Sequence, residues 1–291
     1  MIVPLAAASA VDNAARIVAQ RMADSMKGAI AVENVPGAAG LIGAERIARS
    51  APDGYTIAGF NDSIMTMLPN LHAKMPWDIQ KDFDPVSLVA TVEWGLVVSN
   101  SAPYASAGDL IAAAKASPGR INYGSGGNGS PQHIAMALFA SSAGISLTHI
   151  PYKGATQAAL DVAAGQVPVA FQGLATVASL VRGGKLRLVG VSMPARHPQF
   201  PEVPTVSESG LPGFEFQSWF AIMVPAGTPK DIVARLHAEV VKALADGEVR
   251  EKLGVLGLTP RGSSPEELRK ATAEQLAKYA RLMKQAGIAP E

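Results

Sequence analysis

The densest concentration of chemically useful residues is the run Tyr123-Gly124-Ser125-Gly126-Gly127-Asn128-Gly129-Ser130-Pro131-Gln132-His133. It follows a strand-like segment and opens a helix-like one. Ser130 suits a helix N-cap and Pro131 suits the first helical position. The unpaired N–H groups of such a first turn, together with the helix dipole, favour an anion. A tight strand-to-helix turn would also call for glycine. Four glycines within six residues exceed what a turn needs, so the loop is read as an anion site.

Gly124-x-Gly126-x-x-Gly129 matches the dinucleotide fingerprint letter for letter. That fingerprint also requires an acidic residue about 20 positions later for the ribose. No Asp or Glu occurs between Asp109 and Asp161, which argues against NAD. Lys115, Arg120 and Lys153 lie in the same stretch and favour a small anion.

Two other loops have related chemistry. Leu5-Ala6-Ala7-Ala8-Ser9-Ala10-Val11-Asp12 leads from the first strand into the first helix, with Asp12 read as its N-cap. Its backbone amides form either a second anion site or an ordinary capped helix start. Gly37-Ala38-Ala39-Gly40-Leu41-Ile42-Gly43 also opens a helix, and its glycines are read as permitting close helix–sheet packing.

Catalytic patterns are sparse. His72, His133, His149, His197 and His237 form no HExxH or other tight ligand pair. There is no G-x-S-x-G elbow and no G-x-x-x-x-G-K-[ST] loop. His133, at the third helical position, is read as pointing toward the anion loop. Trp219 either floors a ligand cleft or fills a core where the chain changes lobes. The charges around Glu266, Glu267, Arg269 and Lys270 read as a solvated helix face.

The elements that must carry these loops alternate between strand and helix length. Strands are expected at 2–5, 30–32, 55–60, 86–92, 96–100, 121–123, 147–150, 167–171 and 186–192, with extended chain at 214–224. Helices are expected from 12 to a stop at Gly28, and at 41–50, 106–117, 132–142, 155–164, 175–182, 230–245, 248–256 and 265–286. Ala14, Val18, Met22 and Met26 mark one helical stripe. The alternation predicts an α/β protein with mostly parallel sheets flanked by helices. It divides into two lobes, 1–99 with 221–291 and 100–220. Ligands of open α/β sheets bind outside the carboxyl ends of strands, which places the site in a cleft between lobes.

The chain has 291 residues and a net charge of +1, with 48% hydrophobic and 17% charged residues. It is too apolar for a disordered chain and lacks the basic surplus of a nucleic-acid binder. No apolar run reaches the roughly 18–20 residues of a membrane span. The absence of cysteine removes thiolate chemistry and suits an oxidising compartment as well as any other. No metal or cofactor is expected.

Several stretches together resemble the substrate-binding receptors of tripartite tricarboxylate transporters, the Bug-type periplasmic proteins. They are Val32-Glu33-Asn34-Val35-Pro36-Gly37-Ala38, Ala51-Pro52-Asp53-Gly54-Tyr55-Thr56 and Lys81-Asp82-Phe83-Asp84-Pro85-Val86-Ser87. Asn122-Tyr123 with the glycine loop and Pro151-Tyr152-Lys153-Gly154 follow. Val203-Pro204-Thr205-Val206, Gly210-Leu211-Pro212-Gly213-Phe214 and Pro225-Ala226-Gly227-Thr228-Pro229 complete the set. They occur in family order across almost the whole chain.

The resemblance implies a Venus-flytrap protein whose two α/β lobes close on a small carboxylate, without chemistry of its own. It implies ligand contacts from Leu5, Ser9, Ala10, Val11 and Asp12 in the first loop, and from Gly127, Asn128, Gly129, Ser130 and His133 in the glycine loop. Asn61, Ser63, Tyr152, Gln172, Gly173 and Trp219 would complete the pocket. It further implies a monomer in the periplasm, a removed signal peptide, and membrane permease subunits as partners. An α/β hydrolase or dehydrogenase using the same cleft, and a periplasmic sensor module, are the competing readings.

Two departures from the family pattern bear on the ligand. The usual Phe-Pro and paired glycines of the first loop are replaced by Leu5-Ala6-Ala7-Ala8-Ser9-Ala10, a less permissive backbone. Gln172 stands where the family often has Asp, which argues against an amino-acid ligand and leaves aliphatic dicarboxylates and aromatic carboxylates.

Overall fold

In the computed structural model, which describes residues 1–285, the strands run in chain order as β1 (Ile2–Val3), β2 (Glu33–Asn34), β3 (Ala58–Asn61), β4 (Phe83–Val92), β5 (Trp94–Val98), β6 (Asn122–Ser125), β7 (Thr148–Pro151), β8 (Val169–Gly173), β9 (Arg187–Val191), β10 (Ser218–Pro225) and β11 (Leu258–Pro260). The helices are α1 (Ala10–Met26), α2 (Leu41–Ala48), α3 (Leu68–Leu71), α4 (Ala107–Ala116), α5 (Pro131–Ala143), α6 (Ala155–Ala163), α7 (Leu174–Arg182), α8 (Lys230–Ala245), α9 (Gly247–Val255) and α10 (Pro265–Gln285). Ala286, the expected last residue of the final helix, lies outside the described residues.

The chain divides into two compact units, Met1–Thr91 with Trp219–Glu291, and Val92–Ser218. The first holds a six-stranded sheet of order β11-β4-β10-β3-β1-β2. Its β2-β1-β3 part is parallel, with Ile2 opposite both Glu33 and Ala58, and β10 adds antiparallel to β3. The second unit holds a five-stranded sheet of order β7-β6-β8-β5-β9. Here β7-β6-β8 is parallel, while β5 runs antiparallel to β8 and β9. That pairing places β5, expected in the first lobe, in the second unit. Each sheet is therefore mixed. Its parallel strands are joined by helices and its antiparallel ones lie near the chain's crossings, as the connection lengths require.

The second unit's core gathers Val97, Ala170, Leu174, Val177, Leu188 and Val191 from its sheet and from α7. In the first unit α1 is unusually rich in small buried residues, with Ala14, Ala15 and Ala19 beside Val18 and Met22. Small side chains let a helix lie close to its neighbours.

Two element ends differ from expectation. Ser9, not Asp12, is the N-cap of α1, and the helix stops on Lys27 in the left-handed region (φ 51) with Gly28 just beyond. The segment Ser63–Met67 is a π-helix that runs into α3, where no helix was read. Pro69 removes an N–H from this stretch, and Thr66 Oγ1 donates back to the Asp62 carbonyl at 2.7 Å. Both disturb the regular hydrogen-bond ladder.

Candidate functional site

Parallel strands bring the predicted residues to one edge of each sheet. In the first unit β1 and β3 end side by side, so the loop 4–9 and residues 61–63 start from the same carboxyl edge. Phe220 lies opposite Asn61 on antiparallel β10, which adds Trp219 there. In the second unit β6, β7 and β8 deliver the glycine loop, Tyr152 and Gln172 with Gly173 to their carboxyl edge.

The first-unit edge is organised by Asp12. Ser9 holds extended backbone, and its Oγ accepts the Asp12 N–H at 3.3 Å. The Asp12 carboxylate reaches back and accepts the N–H of Ala8 at 2.8 Å. It also accepts Asn34 Nδ2 at 2.9 Å and Arg16 Nε at 3.0 Å. Asn34 in turn donates to the Leu5 carbonyl at 3.1 Å. Ala8 sits at φ 58, where an L-residue is strained. The loop thus takes the left-handed step without a glycine, because Asp12 binds the amide that the step presents. Asp12 is buried and committed to these bonds, so it positions the loop. Ala10 and Val11 supply the first two helical N–H groups, which have no intrahelical acceptor.

Asn61 is buried and its Oδ1 accepts the Ile64 N–H at 3.0 Å. Ser63 is buried beside it. Between them lies Asp62, 1% exposed, which sequence reading passed over. Burial pushes its carboxyl well above the usual carboxylate range, against backbone N–H bonds from Trp219 and Ser63 and the charge of Lys278. Its Oδ1 and the buried indole Nε1 of Trp219 have no hydrogen-bond partner among the described residues.

The second-unit edge repeats the same design with different chemistry. Ser130 caps α5 at φ −66, ψ 156, close to the φ −69, ψ 163 of Ser9. Its Oγ accepts the His133 N–H at 3.3 Å. His133 Nδ1 accepts the Gly129 N–H at 3.1 Å, with Gly129 at φ 74. The Gly129 amide, expected to face an anion, is therefore taken by the imidazole. Gly127, at φ 114, donates its N–H to Ser125 Oγ at 3.1 Å, and Asn128 is exposed at the loop tip. Pro131 has no N–H, which leaves Gln132 as the free helical donor in this first turn.

Beneath the loop lies a stack the sequence did not reveal. Tyr123 and His149 are register partners on β6 and β7, so their side chains share a face. Their rings stack at 4.9 Å. His133 stacks on His149 at 4.2 Å with 5° between ring planes. His149 Nε2 lies 2.5 Å from Ser125 Oγ. Burial and the neighbouring His133 lower the His149 pKa from 6.5 to about 4.

Tyr152 and Gln172 act on the loop from below. Gly124 abuts the Tyr152 ring, and the Tyr152 hydroxyl is drawn to Asp161, which with burial pushes its pKa up to about 12. Gln172 is fully buried, accepting from Gln132 Nε2 at 3.5 Å and donating to the Ala155 carbonyl at 3.3 Å. Gly173 ends β8 and precedes α7. Among the described residues no cluster of three His, Asp or Glu could hold a metal, and no helix is long and apolar enough to cross a membrane.

The tripartite tricarboxylate transporter family receptor model matches residues 14–288. A protein of the tcbD–tcbE intergenic region of Pseudomonas sp. strain P51 is 37% identical over 268 residues, 92% of this chain and 80% of that one. The structure of R. palustris Rpa4515 with adipate superposes with a TM-score of 0.96 at 32% identity, covering 100% of this chain and 97% of that one. The periplasmic binding protein BugD gives 0.95 at 30% identity, covering 100% and 98%. MatC from Rhodopseudomonas palustris with bound malate gives 0.91 at 28% identity, covering 97% of each. With a family match across nearly its whole length, the chain belongs to the tripartite tricarboxylate transporter receptor family, among the Bug-type solute-binding proteins.

Proposed function

We propose that this protein is a periplasmic receptor for a small organic carboxylate, an aliphatic dicarboxylate or an aromatic acid. It delivers that acid to the permease subunits of a tripartite transporter and reaches the periplasm through a signal peptide that is removed. The observation that carries this reading is the pair of serine-capped helix N-termini, at Ser9 and Ser130, on the carboxyl edges of the two sheets. Each serine Oγ already accepts an N–H, so its own proton remains to donate to a carboxylate. The amides of Ala10, Val11 and Gln132 add donors, and the helix dipoles favour the negative charge. Relatives with adipate and malate support the ligand class.

Ser125 and His149 stand at nucleophile–base distance, but Ser125 is wholly buried and its Oγ is occupied by the glycine loop. The pair therefore reads as loop support.

Thermal unfolding with a panel of acids tests the proposal. The panel holds adipate, malate, aromatic mono- and dicarboxylates and amino acids, with NAD as control. A ligand at about 100 times its Kd stabilises by roughly 2.7 kcal/mol, a shift on the order of several degrees. A shift with one class of carboxylate supports the receptor. A shift with NAD alone sinks it.

A further inference from the structure

We propose that His133 makes the glycine loop a proton-linked anion site, so that the loop takes up a carboxylate together with one proton. The inference rests on the receptor reading for its ligand, but its first step belongs to the ligand-free protein.

The geometry fixes the protonation pattern. Gly129 N–H points at His133 Nδ1 at 3.1 Å, so that nitrogen holds a lone pair and the imidazole is neutral as the structure stands. A proton on Nδ1 would turn the acceptor into a donor. The Gly129 N–H would then be released toward the loop's open side, and a charged N–H would stand beside it. One protonation event thus removes the competitor for the amide and adds a cationic donor.

The second imidazole directs the proton to the first. Ser125 Oγ accepts the Gly127 N–H, so its own hydrogen is directed to His149 Nε2 at 2.5 Å. His149 is thereby held as an acceptor, with its ring against His133 at 4.2 Å. Two imidazolium rings stacked at that distance would repel, so the pair carries one proton at most. With Nε2 of His149 already taken, that proton falls to His133. The other titratable groups here are Tyr123, behind His149, and Tyr152 with Asp161, beneath the loop. The first turn of α5 contains no acid. An incoming carboxylate is therefore the anion that would complete the imidazolium.

The sign follows. The bound state holds the proton more tightly than the free state. Between the two His133 pKa values Kd rises with pH, by up to about tenfold per pH unit.

Two measurements decide the matter. In ligand-free protein, the ring signals of His133 and the amide signals of Gly129 are followed by NMR from pH 8 to pH 4.5. The proposal expects one shared midpoint, with no change at His149 over the same range. A His133 titration that leaves the Gly129 amide unmoved overturns it, as does a His133 that stays neutral throughout. Calorimetry with adipate in two buffers of different ionisation enthalpy gives the second arm. Wild type should take up a fraction of a proton approaching one as pH rises, and His133→Gln, which can still accept the Gly129 N–H, should take up none. Binding without proton uptake sinks the inference and leaves the receptor intact. If adipate gives no heat at all, the receptor's ligand class is in question and the NMR arm still decides the proton's place.

Discussion

Asp12 and His133 occupy the same position in two different units. Each is the third residue of a helix whose N-cap is serine, and each side chain accepts the N–H of a left-handed residue four positions earlier. The pairing is a variant of the capping box, in which cap and third residue satisfy each other's orphan donors. The two ends differ in charge. At α1 the acceptor is a carboxylate, already bonded to Arg16 and Asn34. At α5 it is an imidazole with a lone pair. A fixed anion at α1 diminishes the pull of that helix end on a second anion. The neutral acceptor at α5 leaves its dipole unopposed.

Asp12→Ala would leave the amides of Ala8 and Asn34 without their acceptor and strand Arg16. Losing charge-assisted bonds at a buried carboxylate costs about 3 kcal/mol, on the order of 6–12 °C in Tm. Chemical denaturation would read this directly. A Tm within a degree of wild type would show that the loop does not depend on Asp12.

His133→Asp builds the α1 arrangement into α5. The new carboxylate would accept the Gly129 N–H with a charge-assisted bond and favour the helix dipole, so folding should gain up to about 1 kcal/mol. The same charge would repel a bound acid and raise Kd by at least about tenfold, since one unfavourable contact of 1.4 kcal/mol suffices. Melting and adipate titration on one preparation separate the two effects. A more tightly binding variant would place the anion away from α5.

Much of this arrangement was legible in the chain itself. Ser130 followed by Pro131 after a run of glycines specifies a capped helix start without any tertiary information. So do the strand–helix alternation and the helix 230–245. What was not legible depended on strand register. His149 lies sixteen residues beyond His133 and acquires meaning only when β7 pairs beside β6 and sets it opposite Tyr123. Asp62 looked like one more polar loop residue until β10 covered it. Asp12 was placed at the cap instead of Ser9, because Asp and Ser are both strong caps and local sequence cannot rank them three residues apart.

Gly43 tests the reading of the second glycine element as packing. A Cβ there would meet Pro4 Cβ and the Val35 carbonyl, each at 2.7 Å. Alanine in place of a helical glycine ordinarily stabilises by about 1 kcal/mol. Here the contacts are with backbone and a rigid ring just ahead of the loop 5–12, so Gly43→Ala should instead cost about 1–3 kcal/mol. A stabilised variant would mean that α2 can move away from β1 freely.

The lowered pKa of His149 makes stability pH-dependent in a stated direction. Its folded value of about 4 lies below the ordinary 6.5, so the unfolded chain binds the proton more readily. Its contribution is complete above pH 6.5 and is lost as pH falls toward 4. His149→Gln keeps a polar group for Ser125 and removes the titration. The difference in unfolding free energy between wild type and variant should therefore change across that window and stay level above it. A constant difference would show that His149 is solvated in the folded protein.

Asp62 gives the opposite slope. Its folded carboxyl is held well above 3.8 by burial, so the folded state keeps a proton that the unfolded state gives up. Stability is complete below pH 3.8 and declines as pH rises through the folded pKa, by up to about 1.4 kcal/mol per pH unit. Asp62→Asn retains an oxygen for the Trp219 and Ser63 N–H groups and does not ionise. It should melt at or near the wild-type temperature at pH 4 and above it at pH 7.5, with the gap widening steadily between. Trp219 fluorescence reports the same event independently, since its backbone N–H is bonded to that carboxyl. A gap that narrows with rising pH would mean that Asp62 is ionised and stabilised in the fold, with Lys278 outweighing its burial.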